Sequence, residues 1–170
     1  MKHPCSIGPR HRAASLIEAV IAVAVLAVAI PMVLGALCEA GKCALAAQAE
    51  TRSAWIVPAC LNEIRASREG RPGCFPATTT GQAFPPPGEV WALAFSAQGH
   101  PVGKLPGALY HTGTQQLHAT SVRYIASLDC SGAPDQPFVA PMMNVRITLE
   151  YPASSPATQR RKLDFHTRTP

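Results

Sequence analysis

The stretch Ala19–Leu37 reads AVIAVAVLAVAIPMVLGAL, nineteen residues without a charge, a hydroxyl or an amide. As an α-helix it would be about 28 Å long, close to the roughly 30 Å hydrocarbon thickness of a bilayer. A core helix of a soluble domain needs a polar stripe for its solvent side, and this run has none. The stretch therefore predicts a membrane-spanning helix. Pro31 removes one backbone donor inside it, which predicts a kink over Ala27–Pro31 rather than a break. Lys2, Arg10 and Arg12 precede the run, with no acid before Ala13 to offset them. The positive-inside rule keeps that flank cytoplasmic and exports the 133 residues after Leu37.

Outward from this segment, the chain has 170 residues, enough for one domain or a small domain with an appendage, which excludes a large two-domain enzyme. Charged residues are 15%, against about 25% in ordinary soluble proteins. Twelve glycines and seventeen prolines make the remainder turn-rich. The formal net charge is +5, but from Cys38 onward there are 12 basic residues against 9 acidic ones. The one later basic run, Arg160-Arg161-Lys162, has no interleaved aromatic to stack on bases, so nucleic acid is not an expected partner.

Such an N-terminus has three fates: a cleaved secretory signal, a permanent anchor, or a specially processed anchor. Ala44-Leu45-Ala46 is a small-x-small site of the kind signal peptidase cuts. Against simple secretion, an apolar run of nineteen exceeds the usual 7–15 residues of a signal peptide. Leu37 before Cys38 is too large for a lipoprotein cleavage site. The start of the run carries the remaining information. Directly before the apolar residues comes Ala14-Ser15-Leu16-Ile17-Glu18, with one carboxylate at the margin. An acid deep in a bilayer costs about 2.5–3.5 kcal/mol. At the first turn, the helix dipole favours it by roughly 0.3–1 kcal/mol.

The segment RHRAASLIEAVIAVAVLA, Arg10–Ala27, resembles the processing and methylation segment of type IV prepilins and pseudopilins. In that family a basic leader ends in a small residue before the cut, the new N-terminus is methylated, and a carboxylate stands at the fifth mature position. The resemblance implies Ala13 before the scissile bond, Ala14 as the methylated N-terminus and Glu18 as the carboxylate. The chain departs from the usual pattern in having Ala rather than Gly before the cut and Ala rather than Phe after it. It further implies prepilin peptidase, other pilin or pseudopilin subunits and cytoplasmic-membrane lipid as partners. Glu18 would face the N-terminal amine of a neighbouring subunit and set the register of a filament.

Beyond the apolar run, Ala36–Ala66 is alanine-dense with interspersed charges, and Leu45, Ala49, Trp55 and Ile56 can share one face. This predicts an amphipathic continuation packed on a sheet. Pro58 is expected to kink or restart it, giving a second piece over Ala59–Arg68 that ends at Gly70 and Pro72. Gly35 and Gly41 each weaken the helix by about 1 kcal/mol relative to Ala. Residues 71–88 form a breaker-rich loop, with an extended polyproline turn expected at Pro85–Pro87. Strands are expected at Glu89–Ser96, Ala108–Thr112, Ser121–Asp129, Asn144–Tyr151 and Lys162–Thr167, with Val145, Ile147, Leu149 and Tyr151 on one face.

The expected architecture is thus α+β, with these boundaries: a basic leader (1–13), a transmembrane and assembly helix (14–37), an exported amphipathic helix (38–70), the Pro/Gly-rich loop (71–88) and an antiparallel β head of three or four strands (89–170). The head order also resembles the minor-pilin V-like group and the Verru_Chthon cassette B proteins. No catalytic constellation is legible. His100, His111, His118 and His166 show no metal-ligand spacing, the serines lack a nucleophile elbow, and no close carboxylate pair occurs. No metal, cofactor or enzymatic activity is expected.

Cys5 would leave with the leader, and Cys38 and Cys43 point to different helix faces. Cys60, Cys74 and Cys130 lie in the exported part, where an oxidising space permits a disulfide. Cys74 with Cys130 is the first choice and Cys60 with Cys74 the second, since spacing alone does not decide. The expected function is a minor pilin or pseudopilin at the bacterial cytoplasmic membrane, with its N-terminus inside and its C-terminal domain outside. The competing class is a secreted or single-pass anchored binding module that uses the segment only for export.

Overall fold

The computed structural model describes residues 16–77, 85, 89–132 and 143–169. One helix, α1, runs without interruption over Leu16–Arg68, 53 residues. Antiparallel strands β1 (Trp91–Phe95), β2 (Pro101–Leu105), β5 (Tyr124–Gly132), β6 (Met143–Tyr151) and β7 (Arg161–Thr169) form a sheet in the order β2-β1-β5-β6-β7. A short helix, α2 (Gly107–Thr112), and a ribbon of β3 (Gln116–Leu117) and β4 (Thr120–Ser121) lie between β2 and β5 in the chain. The layout is α+β, as expected, but the sheet has five strands rather than three or four. The described chain divides into two units between Leu45 and Ala46, and α1 contributes to both.

Within the second unit, α1 is amphipathic in a specific way. Its buried residues are Ala49, Ser53, Ile56, Cys60, Ile64 and Ser67, a spacing of three and four that draws one stripe along the helix. Trp55, expected on this stripe, is instead 69% exposed. Small serines take places at the interface because each hydroxyl has a nearby acceptor: Ser53 Oγ donates to the carbonyl of Glu50 at 2.6 Å, and Ser67 Oγ to that of Pro76.

Pro58 does not restart the helix. Its ring deprives the Ala54 carbonyl of a donor, but Ala54 and Pro58 are both exposed, so water can serve that oxygen. The helix also continues through Pro31, Gly35 and Gly41. It stops at Gly70, whose φ of 66° is the left-handed conformation that suits glycine. The N–H of Arg71 then reaches back to the carbonyl of Ala66 at 2.8 Å, which closes the last turn.

The stripe of α1 packs on one sheet face with Trp91, Leu93 and Phe95 of β1, Tyr124, Ala126 and Leu128 of β5, and Val145, Ile147, Leu149 and Tyr151 of β6. The alternation expected for Asn144–Tyr151 is therefore present. The other face of β1 and β5 carries a second cluster, in which Ala92, Ala94 and Ile125 meet Leu105, Leu117, Val122 and Ala153. The interior strand β1 is buried on both faces, which explains its run of five apolar residues.

The sequence reading contains no β3–β4 ribbon, and two further elements depart from it. Ala108–Thr112, expected as a strand, belongs to α2. Pro106 at its N-cap has φ −60°, and its carbonyl accepts the Tyr110 N–H at 2.9 Å. The helix ends at Gly113, where a Cβ would lie 2.7 Å from the carbonyl oxygens of Ser154 and Ser155. β2 was not anticipated at all. Its Pro101 opens an edge strand, the position in a sheet where a missing N–H costs least. The expected polyproline turn lies, apart from Pro85, outside the described residues, as does the leader.

Candidate functional site

The N-terminal part of α1 presents an unpartnered apolar surface. Residues 16–44 are exposed throughout, including Leu16, Val25, Leu26, Ile30, Met32 and Leu37. This is one helix long and apolar enough to cross a membrane. Its apolar side chains project on every face, so no orientation in water hides them, whereas hydrocarbon or neighbouring helices would. The helix satisfies its own backbone groups, the condition for entering lipid. Glu18 lies exposed in the first turn, where the unpaired N–H groups favour a negative charge. The far end of the apolar run is marked by an ion pair one turn long, Lys42 Nζ to Glu39 Oε2 at 3.2 Å. Ala13 and Ala14, the expected cleavage and methylation residues, lie outside the described residues.

In the second unit, the main polar feature is a closed network. Glu150 and Arg160 have fully buried side chains, paired Nη1 to Oε2 at 2.9 Å. Tyr110 Oη donates to Glu150 Oε1 at 2.8 Å, and Lys162 Nζ approaches the same oxygen at 3.2 Å. Arg160 also donates to the carbonyls of Ser155 and Tyr110. Burial, and then the hydrogen bond to Glu150, pushes the Tyr110 phenol up to about 12. Every buried side-chain polar atom among the described residues has a partner. The network pins the β6–β7 connection to α2.

A shallow groove of about 380 Å³ lies on the sheet face opposite α1, lined by Asp129, Asn144, Arg146, His166 and Arg168 among others. Its two arginines make one ion pair and one hydrogen bond to a neutral amide. Arg146 Nη2 meets Asp164 Oδ2 at 3.0 Å, and Arg168 Nε donates to Asn144 Oδ1 at 3.1 Å. The hydrogen bond from Thr148, then that from Arg146, holds the Asp164 carboxyl below the usual carboxylate range. His100, His111, His118 and His166 are all exposed. Among the described residues, no group of three or more His, Cys, Asp or Glu side chains is placed to hold a metal ion.

The structure does bring the three expected disulfide candidates to one core. Cys60 on α1 and Cys130 on β5 are members of the cluster under the helix, and Cys74 packs against it. All three are free thiols here. Burial is the main cause that pushes each thiol upward, Cys130 to about 12, with Glu63 adding to it at Cys60 and Cys74 and Asp129 at Cys130. They are poor nucleophiles at neutral pH. Sequence reading missed Glu150 and Arg160, because a charge run beside a turn reads as solvated.

No family model, curated protein or solved structure matches the chain.

Proposed function

We propose that this chain is a minor pilin or pseudopilin: a structural subunit, cut by prepilin peptidase between Ala13 and Ala14, held in the cytoplasmic membrane and drawn into a pilus-like or secretion filament. One observation carries the reading. A single helix joins an apolar segment exposed on all faces, with one acid at its first turn, to an amphipathic segment packed on an antiparallel sheet. An anchor alone needs the grease but has no use for Glu18. A bundle of such helices uses both, because Glu18 can pair with the amine freed at Ala14 of a neighbour. In low dielectric, removing one partner of such a pair costs about 3–5 kcal/mol. Glu18→Ala is expected to insert and be cleaved normally yet to enter filaments poorly, as read by shearing and immunoblot.

N-terminal sequencing of the membrane-extracted protein tests the whole reading. Methyl-alanine at position 14 is the expected result, and a retained Met1 makes the chain a plain anchored protein. The second reading, ordinary secretion of a binding module, draws on a specific observation. The second compact unit begins at Ala46, beside the small-x-small site Ala44-Leu45-Ala46, so cleavage there would release a unit with its core intact. Under that reading the mature chain begins at Ala47.

A further inference from the structure

The five-stranded sheet ends on two very different strands, β2 and β7. β2 is an edge of five residues whose Pro101 has no N–H to offer and whose pairing with β1 shifts register at Phe95. The His118 ring lies 3.7 Å from where a Cβ on Gly103 would stand, so the β3–β4 turn crowds that border. Short length, proline and irregular pairing keep a sheet border from recruiting another strand. β7 has none of them. It holds nine residues without Pro or Gly, and all nine pair with β6 in unbroken register. Every other residue of such an edge turns its N–H and C=O outward. Among the described residues, the backbone of 161–169 bonds to no strand but β6.

The two faces of β7 decide what would pair there. Leu163 and Phe165 are half-buried and touch the core cluster under α1, so a strand laid alongside would cover the rest of each. Lys162, Asp164, His166 and Arg168 alternate with them on the opposite face, where His166 and Arg168 line the groove described above. The strand carries three bases, Arg161, Lys162 and Arg168, against one acid. That acid, Asp164, is already held by Thr148 and Arg146. Lys162 is drawn to Glu150, but among the described residues neither Arg161 nor Arg168 is in an ion pair. Arg168 donates through Nε to Asn144 Oδ1, which leaves both Nη groups for another acceptor. A second copy is a poor occupant. Antiparallel pairing of two β7 strands about Phe165 sets Lys162 against Arg168 twice, and a register that sets Arg168 against Asp164 competes with Thr148 and Arg146 for that carboxylate.

We propose that β7 is a docking edge for an extended acidic segment of another protein, which adds to the sheet beyond β7. The backbone of that segment takes the outward N–H and C=O groups, and its apolar alternates cover Leu163 and Phe165. Its carboxylates lie beside His166 and Arg168, with directly opposed Cβ atoms about 4.5–5.5 Å apart. Arg168 supplies the planar fork of donors that fits a carboxylate. The assignment depends only on the second unit and holds whether or not the chain is a filament subunit.

The probe is a blocked peptide the length of β7 that alternates glutamate with valine, added to the full-length chain in detergent. Binding is read by fluorescence anisotropy of the labelled peptide, and its place by hydrogen exchange. The expected result is binding with slowed exchange over 161–169 and unchanged exchange over 101–105. A lysine–valine peptide should not bind. Arg168→Glu, an exposed replacement, should weaken the glutamate peptide by about tenfold or more and improve binding of the lysine peptide. N-methylation of alternate peptide amides, tried on each of the two sets in turn, should abolish binding for one set only, because one set faces β7. No binding of the glutamate peptide, equal binding of both peptides, or indifference to methylation of either set overturns the proposal. Protection of β7 that grows with protein concentration in the absence of peptide assigns the edge to a second copy and overturns it too.

Discussion

The two halves of α1 share one backbone and live by different rules. Over residues 16–44 every position is exposed and nearly every side chain is aliphatic. Over Ala46–Arg68 a single stripe from Ala49 to Ser67 is buried, and charges such as Glu50, Arg65 and Arg68 stand off it. The first half gains stability only from a medium outside the chain. The second gains it from Trp91, Phe95, Ile147 and the rest of the sheet-facing core. Hydrophobicity thus teaches little by amount: the half with more of it buries none within the chain. What distinguishes them is whether polar residues interrupt the apolar ones at a helical period.

That contrast predicts separable failures, and the largest belongs to the second unit. Arg160→Ala leaves the fully buried Glu150 without its guanidinium, which costs about 3–5 kcal/mol. The low end is expected here, because Lys162 and Tyr110 still reach Oε1. Urea denaturation of the full chain in detergent should show the loss, while membrane association stays unchanged. Replacing both Glu150 and Arg160 by Met should recover much of it, since no buried charge then remains. A charge in the other half should do the reverse. Val25→Arg places a guanidinium near the centre of the apolar run, at about 2.5–3.5 kcal/mol on insertion scales, or roughly a hundredfold in the insertion equilibrium. Carbonate extraction of membranes should then release the protein, with the urea midpoint of the folded part unmoved. If either variant disturbs both readouts equally, the two units are not independent.

How much of this was legible follows from the same contrast. The apolar run announced its helix because nothing polar breaks nineteen residues, and β6 announced itself because Val145, Ile147, Leu149 and Tyr151 alternate without a gap. Trp55 misled because a large aromatic usually seeks a core. The actual interface uses Ser53 and Ser67, whose hydroxyls are satisfied by local carbonyls. α2 has six residues, too few to display a helical period. β2 was masked by Pro101 and Gly103, which are tolerated at a sheet edge and read as loop in isolation. The Glu150–Arg160 pair was invisible for a different reason. Whether a charge is solvated depends on what folds over it, and here the cover includes Tyr110, fifty residues earlier in the chain.

A smaller effect should sharpen the contrast in the stabilising direction. The two-residue turn between β3 and β4 places His118 at φ 48° and Ala119 at φ 63°. A Cβ makes that conformation unfavourable by roughly 1–2 kcal/mol per residue, and Asn-Gly is the pair that fits such hairpins best. Ala119→Gly is therefore expected to raise the unfolding free energy of the second unit by about 1 kcal/mol, a shift of a few degrees in melting temperature. Membrane association should not respond. A lowered melting temperature would mean that the chain entropy lost by glycine outweighs the relief of strain.

The smallest expected effect concerns Asp164, which accepts hydrogen bonds from Thr148 at 2.6 Å and Arg146 at 3.0 Å on the exposed sheet face. Both favour the ionised form, so the folded carboxyl lies below its unfolded value near 4. A group shifted this way adds stability at pH values above its unfolded pKa and loses it as pH falls through the folded one. Its contribution should therefore be complete at pH 7, begin to fall at about pH 4 and vanish only below the lowered folded pKa. Because the pair is solvent-exposed, about 0.2–1 kcal/mol is expected, reduced further by salt. Asp164→Asn should lower the urea midpoint at pH 7 and leave it nearly unchanged at a pH below the lowered folded pKa, where the wild-type carboxyl is also neutral. Equal losses at both values would assign the effect to the Thr148 hydrogen bond alone, since an amide oxygen keeps that contact only in part and without regard to charge.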